Sequence, residues 1–327
     1  SGVITYIATS TEYGPTGQAT LRELGNGLNT SYTYNSSALY RLTNISTAPA
    51  LIATTTSTPT MPTNLVSWWG FNNTANDSHT SNNHLTMTGS PSYGTGILGN
   101  GIDLEKSSSQ YGSITDASQT GLDIATNMSM CLWLKPESNP DPGDPDGGWW
   151  TLASKDVGGS RAWDFYYLPD GGTYRLAFYA FNSSGGHTNN WVTQNLGTGT
   201  FHFVCATWDG SQSGATNKIK IYVDGSAVSS YSSGDGGAVT SIPDSSAPFK
   251  MGADNLAARY YVDGVVDELA VWSRTLPSDD VSTLYNAGVG KPYATVSTTT
   301  SATGAKTQDF NYTYDSEGNR TRRTTIA

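Results

Sequence analysis

Ten short aromatic and β-branched runs punctuate residues 64–292, each bounded by Gly, Asn, Asp or Pro, and they restrict what this stretch can fold into. Among them are LVSWWGF at 65–71, MSMCLWLKP at 128–136, WDFYYL at 163–168, YRLAFYAF at 174–181, FHFVCATWDG at 201–210 and VVDELAVWSRTL at 265–276. Such residues suit a pleated, half-buried surface, and many short strands with turn signals between them make a sandwich. In IKIYVDGSAV, Ile219, Ile221 and Val223 alternate along one face, and Asp224-Gly225 supplies a positive-φ turn. A single helix is expected, in PSDDVSTLYNAG, with Ser278 as its N-cap, Asp279 and Asp280 near its positive end and Gly288 closing it.

Charged residues make up 13% of the 327 positions, so the chain is not a charge-driven disordered segment. The net charge of −10 excludes the basic footprint of a nucleic-acid binder. No run approaches the roughly 18–20 apolar residues of a membrane-spanning helix, so no membrane insertion is expected. The chain opens mid-pattern at SGVITYIATS, without a leader, and reads as a piece of something longer. Cys131 and Cys205 each fall inside a strand run. They read as two buried thiols, with a disulfide between neighbouring strands as the alternative.

Composition divides the chain. Residues 1–48 hold short aromatic strands, 49–63 form a Thr/Pro-rich linker, 64–292 form the body, 293–307 form a second Thr/Ser-rich linker, and 308–327 close the chain. The ends share a hairpin pattern: Tyr32 and Tyr34 alternate in SYTYNSSALYRLTNI, as Tyr312 and Tyr314 do in NYTYDSEGNRT. These segments resemble YD repeats of the Rhs type, a Tyr-x-Tyr-Asp strand followed by a turn and an Arg-Leu-Thr strand; Asn35 stands where the repeat has Asp. YGPTGQATLRELGNGLNT at 13–30 resembles a preceding unit. Repeat strands that normally follow one another are here separated by the whole body. That implies a domain inserted into a repeat loop of a longer bacterial surface or secreted protein, with Arg41–Ile45 and Phe310–Asp315 as adjacent antiparallel strands.

The body resembles concanavalin A-like, laminin G-type jelly rolls. The phrases that carry this are LVSWWGFNNTANDSHTSNNHLTMTG, GNGIDLEKSSSQYGSI, LDIATNMSMCLWLKPES, GTGTFHFVCATWDGS, KIYVDGSAV, FKMGADN and YVDGVVDELAVWSRTLPSDDVSTLY, in that order. The resemblance implies an all-β, two-sheet antiparallel sandwich flanked by YD-repeat hairpins, at an extracellular or cell-surface location. It also implies a structural calcium ion, with Asp267 as the ligand carboxylate and Asp77 and Asn73 supplying first-strand oxygens. The alternative reading is that Asp267 caps backbone N–H groups and Asp77 is a turn residue. The acidic loop DPGDPDGG, residues 141–148, lacks the helices and distal Glu of a calcium hand and reads as a solvated loop.

Trp68 or Trp69, Trp133, Trp208 and Trp272 fall where such domains carry core aromatics. Trp149, Trp150, Trp163 and Trp191 are surplus to that set, and His187, Arg259 and Tyr260 lie near them in strands and loops. Aromatic faces stack on sugar rings while polar neighbours read hydroxyls, so these seven are the candidate glycan contacts. Packing in the core is the competing reading for each tryptophan. No catalytic residues are assigned: only six Glu are present, and no strand carries the Glu-x-Asp-x-x-Glu run of glycosidases on this fold. The expectation is a non-catalytic carbohydrate-binding or adhesive module that meets a glycan or cell-surface polysaccharide. The alternatives are a spacer without a small ligand and, more distantly, a glycoside hydrolase.

Overall fold

The computed structural model describes residues 10–15, 17–23, 28–35, 41–49, 61–254, 259–293, 308–314 and 320–326. The chain forms two compact units, residues 1–58 with 296–327, and residues 59–295. Most of both Thr-rich linkers, and Asp315, lie outside the described residues.

The first unit is a six-stranded antiparallel sheet in the order Ser10–Tyr13, Ala19–Glu23, Leu28–Asn35, Arg41–Pro49, Gln308–Tyr314, Arg320–Ile326. Its strands from the two ends of the chain pair from Gln308↔Thr47 to Asn311↔Asn44. At that seam the Asn44 side-chain amide donates to Asn311 Oδ1 at 2.6 Å. Tyr32 and Tyr34 are half-buried while Ser31, Thr33 and Asn35 between and beside them are exposed, the period-2 pattern of a one-faced strand. The Arg22 guanidinium lies 5.7 Å from the Tyr32 ring, and Arg320 lies 5.5 Å from Tyr312.

The second unit is an all-β sandwich of two eight-stranded antiparallel sheets. The first sheet runs Ser226–Ala227, Ile219–Val223, His202–Asp209, Asn127–Pro136, Gly264–Trp272, Asn100–Leu104, Ser92–Thr95, with Leu65–Trp69 also paired to Gly264–Trp272. The second runs Ser230–Gly234, His187–Thr193, Thr173–Phe181, Ser160–Asp170, Trp150–Val157, Phe249–Met251, Tyr111–Ile114, Thr86–Thr88. Their facing sides enclose one core that includes Trp69, Trp150, Trp163, Trp208, Phe165, Phe178 and Phe249. The Asp224-Gly225 turn has φ of 48° and 77°, as a two-residue hairpin of the primed type requires.

The outer face of the first sheet is covered. Trp68, Trp133, Phe203 and Trp272 pack there with Leu276, Val281 and Leu284, the last two from a helix over Ser278–Tyr285. Ser278 is the first helical residue rather than the N-cap, which is Pro277, and Asn286 in the left-handed region ends the helix before Gly288. A short helix over Ala215–Lys218 precedes the strand Ile219–Val223 and was not expected from the sequence. Beside this cover lies a 480 Å³ pocket lined by residues that include Trp68, Leu98, Glu268 and Tyr293, and the second sheet's outer face carries another.

The two cysteines are bonded to each other, not free. Cys131 and Cys205 are direct register partners on neighbouring strands, with Cα atoms 4.0 Å apart. Both are buried among the aromatics beneath the helix. Strand alternation points both toward the same face, which the two runs read separately do not reveal. Denatured without reductant, the chain should expose no thiol to a maleimide, and should bind two equivalents after reduction. Labelling before reduction would contradict this pairing.

Candidate functional site

The site follows from strand parity. In Ser160–Asp170, residues Trp163, Phe165 and Tyr167 enter the inter-sheet core, so Asp164, Tyr166 and Leu168 face outward. In Thr173–Phe181, Leu176, Phe178 and Ala180 point inward, which leaves Ala177, Tyr179 and Phe181 on the outer face. Trp191 projects outward from the next strand. Tyr166, Leu168 and Ala177 form a small buried cluster there, against which Trp149, Tyr179, Trp191 and Tyr260 pack half-exposed.

The rings meet at angles. Trp149 lies edge-on to Tyr166 at 5.3 Å and to Trp191 at 6.1 Å, and stacks on Tyr260 at 5.7 Å. Tyr179 lies 5.4 Å from the exposed His187 ring, which is itself 5.8 Å from Phe181. The loop that brings Tyr260 over the sheet is tied at the backbone. Tyr260 N–H donates to Asp146 Oδ2 at 3.2 Å, and Thr151 N–H donates to the Tyr260 carbonyl at 2.8 Å. The acidic loop 141–148 therefore braces the site, which its reading as a solvated loop did not include.

These groups surround a 220 Å³ pocket lined by Trp149, Arg161, Asp164, Tyr166, Tyr179, Phe181, His187, Asp254, Arg259 and Tyr260. Asp164 is fully buried, and its Oδ1 has no hydrogen-bond partner. Burial, together with the neighbouring carboxylates of Asp156 and Asp254, holds its carboxyl well above the usual range. Asp156 is clamped by the Arg161 guanidinium, whose Nε donates at 2.9 Å to each carboxylate oxygen. That guanidinium in turn lies 3.7 Å over the Phe181 ring. Arg259 lies 3.8 Å from Asp254.

Of the seven candidate contacts, Trp149, His187, Arg259 and Tyr260 line this pocket, and Trp191 touches Trp149 and Tyr179 beside it. Trp150 and Trp163 do not belong to it: they are 0% and 1% exposed and fill the inter-sheet core. Adjacent residues on a strand face opposite sides, so Trp149 and Trp150 cannot share a face. Asp164, Tyr166, Tyr179, Phe181 and Arg161 were missed. The usable signal was parity within WDFYYL, where an acid stands opposite the aromatic core phase.

Asp267, Asp77 and Asn73 do not fit a calcium centre. Asp267 is fully buried; its Oδ2 accepts from the backbone N–H groups of Ile97 at 2.8 Å and Leu98 at 3.1 Å, and its Oδ1 from Glu268 at 2.9 Å. Asp77 accepts from the N–H groups of Trp68, His79 and Asn83, and Asn73 Oδ1 from the Asn100 amide. Calcium takes 6–8 oxygens, and here the lone pairs are largely committed to donors. The physical reason lies in the sheet. Along one side of Gly264–Trp272 the partner changes from Asn100–Leu104 to Leu65–Trp69, and a bulge falls at the change, with Glu268 at φ 49°. Asp267 supplies acceptors to backbone donors that no strand meets there.

The two antiparallel sheets packed face to face make this unit a β-sandwich. Residues 106–282, over half of the 327-residue chain, match the family described as Concanavalin A-like lectin/glucanases superfamily, and the chain belongs to that family. No curated protein matches the chain in sequence. Among solved structures, the binding domain of Paraclostridial Mosquitocidal Protein 1 is 15% identical with TM-score 0.53, over 69% of this chain and 52% of that one. The binding domain of Botulinum Neurotoxin DC, in complex with SialylT, is 13% identical with TM-score 0.51, over 69% and 52%. Domain 4 of an extracellular arabinanase from Geobacillus stearothermophilus, in complex with arabinotriose, is 19% identical with TM-score 0.48, over 67% and 97%. The chain spans about half the length of the two toxin domains.

Proposed function

We propose that the sandwich is a non-catalytic carbohydrate-binding module, and that its site is the aromatic pocket on the outer face of the second sheet. The observation that carries this is the buried Asp164, with an unpartnered oxygen at the base of a ring of half-exposed Trp and Tyr faces. A sugar ring presents C–H faces to aromatics and hydroxyls to carboxyl groups, so it meets both demands together. The binding domain of Botulinum Neurotoxin DC, which is in complex with SialylT, shares this fold over about half its length and supports the reading. A binding role is preferred to hydrolysis because no strand carries the Glu-x-Asp-x-x-Glu run of glycosidases on this fold.

The module is displayed, on this reading, from a YD-repeat shell of a longer extracellular protein. The antiparallel pairing of Arg41–Pro49 with Gln308–Tyr314 supports it, since it brings together the strands between which the body is inserted. A disulfide is at home in an oxidising, extracellular setting.

Calorimetry against a panel of neutral oligosaccharides tests the site. Trp191→Ala and Tyr179→Ala should each weaken binding by about 1–3 kcal/mol, roughly five- to over a hundredfold. Binding should change little between low and high salt, because a neutral sugar makes no ion pairs. Affinity that survives both substitutions would remove the site from this face. A panel that binds nowhere would leave the module a spacer.

A further inference from the structure

A second cavity adjoins the pocket at the hairpin tips of the same sheet. It measures 330 Å³ and is lined by Gly159, Ser160, Arg161, Asn182–Gly185, Pro243 and Asp244. Arg161 lines both cavities. The chain crosses between them twice at consecutive residues: Ser160 with Arg161 on one strand, and Phe181 with Asn182 at the end of the next. The divide between the cavities is the Arg161 guanidinium lying on the Phe181 ring. Its position is fixed, because Asp156 grips it from the buried side.

The two cavities differ in chemistry. The pocket is walled by rings, with Asp164 between them. The tip cavity mixes polar and apolar surface, with the exposed hydroxyls of Ser183 and Ser184 and the exposed Asp244 carboxylate beside Pro243. Asn182 is committed to its own turn, accepting from Ser184 and Gly186 and donating to the Gly237 carbonyl, so it shapes this cavity rather than reading a ligand. A single sugar unit would use only one of these environments. A chain of sugar units crossing the Arg161–Phe181 saddle would use both, with ring faces on the aromatics and hydroxyls at the tip.

We propose that the tip cavity is a second subsite of the same groove and that the ligand is an oligosaccharide chain rather than a single terminal sugar. This rests on the pocket being a carbohydrate site. The test is a length series, from monosaccharide to hexasaccharide, of cello-, manno-, xylo- and chito-oligosaccharides, titrated into the full chain and two variants. Ser184→Trp fills the tip cavity from an exposed turn without touching the pocket, and Tyr179→Ala removes a pocket wall. Thermal melts confirm that both variants are folded.

In the wild type, the affinity for one series should rise at least about tenfold from monosaccharide to a longer member. Ser184→Trp should abolish that rise and leave monosaccharide affinity unchanged, while Tyr179→Ala should weaken every member. If the monosaccharide and its longer members bind alike, and Ser184→Trp changes nothing, the second subsite is overturned and the pocket stands. If no member of any series binds the wild type, both are overturned.

Discussion

Lys155→Met should cost the sandwich about 3–5 kcal/mol, although the Met side chain nearly fills the volume that the Lys stem occupies. Lys155 is fully buried. Its Nζ lies 2.7 Å from Asp116 Oδ1 and 2.8 Å from Asp123 Oδ1, and it donates to the carbonyl oxygens of Ser245 and of Ala247, the latter at 3.0 Å. One ammonium therefore ties a strand of the second sheet to the turn at Asp116 and to the segment before Phe249. The hydrogen bond to Lys155 lowers the Asp116 carboxyl below its ordinary value. Asp116 and Asp123 keep partial solvent access, with side chains 31% and 26% exposed, so their lost pairing is softened by water. Most of the cost comes from the Ser245 and Ala247 carbonyls, buried residues that lose a donor at about 1–3 kcal/mol each. Asp116→Asn should cost less, because water can reach that side. Urea midpoints for the wild type and both variants check this ordering, and a Lys155→Met loss under about 1 kcal/mol would contradict it.

Strand content and the two-sheet arrangement were legible because their signal is local. Alternation in IKIYVDGSAV and the turn at Asp224-Gly225 specify a hairpin without reference to anything distant, and the structure has it. The pairing of the chain's two ends was legible for a different reason, since the Tyr alternation at Tyr32 and Tyr34 recurs at Tyr312 and Tyr314. The site was legible only in part. Counting tryptophans ranked Trp149 and Trp150 alike, while the fold sends neighbours to opposite faces, one to the pocket and one to the core. Parity would have separated them, had it been anchored to Trp163 and Phe165 as core. Lys155 was beyond reach. It is a single charge whose meaning depends on residues tens of positions away, which no local pattern couples.

The same limit governs Asp267 and Glu268, adjacent acids of which the resemblance offers only Asp267 as a metal ligand and which the fold makes a proton-binding pair. Burial raises Asp267 to about 7. Burial, with the Asp267 charge next, raises Glu268 to about 8. Both side chains lie inside the bulge, where Asp267 meets backbone donors and Glu268 the Trp68 indole N–H. In the unfolded chain such carboxyls titrate near ~4. The native state thus holds protons that the unfolded state has released, and the sign follows. Their contribution to stability is fully present below about pH 4 and is lost as pH rises through 7 and 8. Each proton so retained tilts stability by about 1.4 kcal/mol per pH unit within that window. Glu268→Gln keeps an oxygen to accept the Trp68 N–H and removes its own titration. Across pH 5–8 the variant should therefore lose stability more slowly than the wild type, and the gap between them should widen toward pH 8. Denaturant midpoints at several pH values, with and without chelator, read this directly. Parallel profiles for the two proteins would contradict the proton-binding pair. A wild-type melt that falls in chelator alone would restore calcium to the bulge.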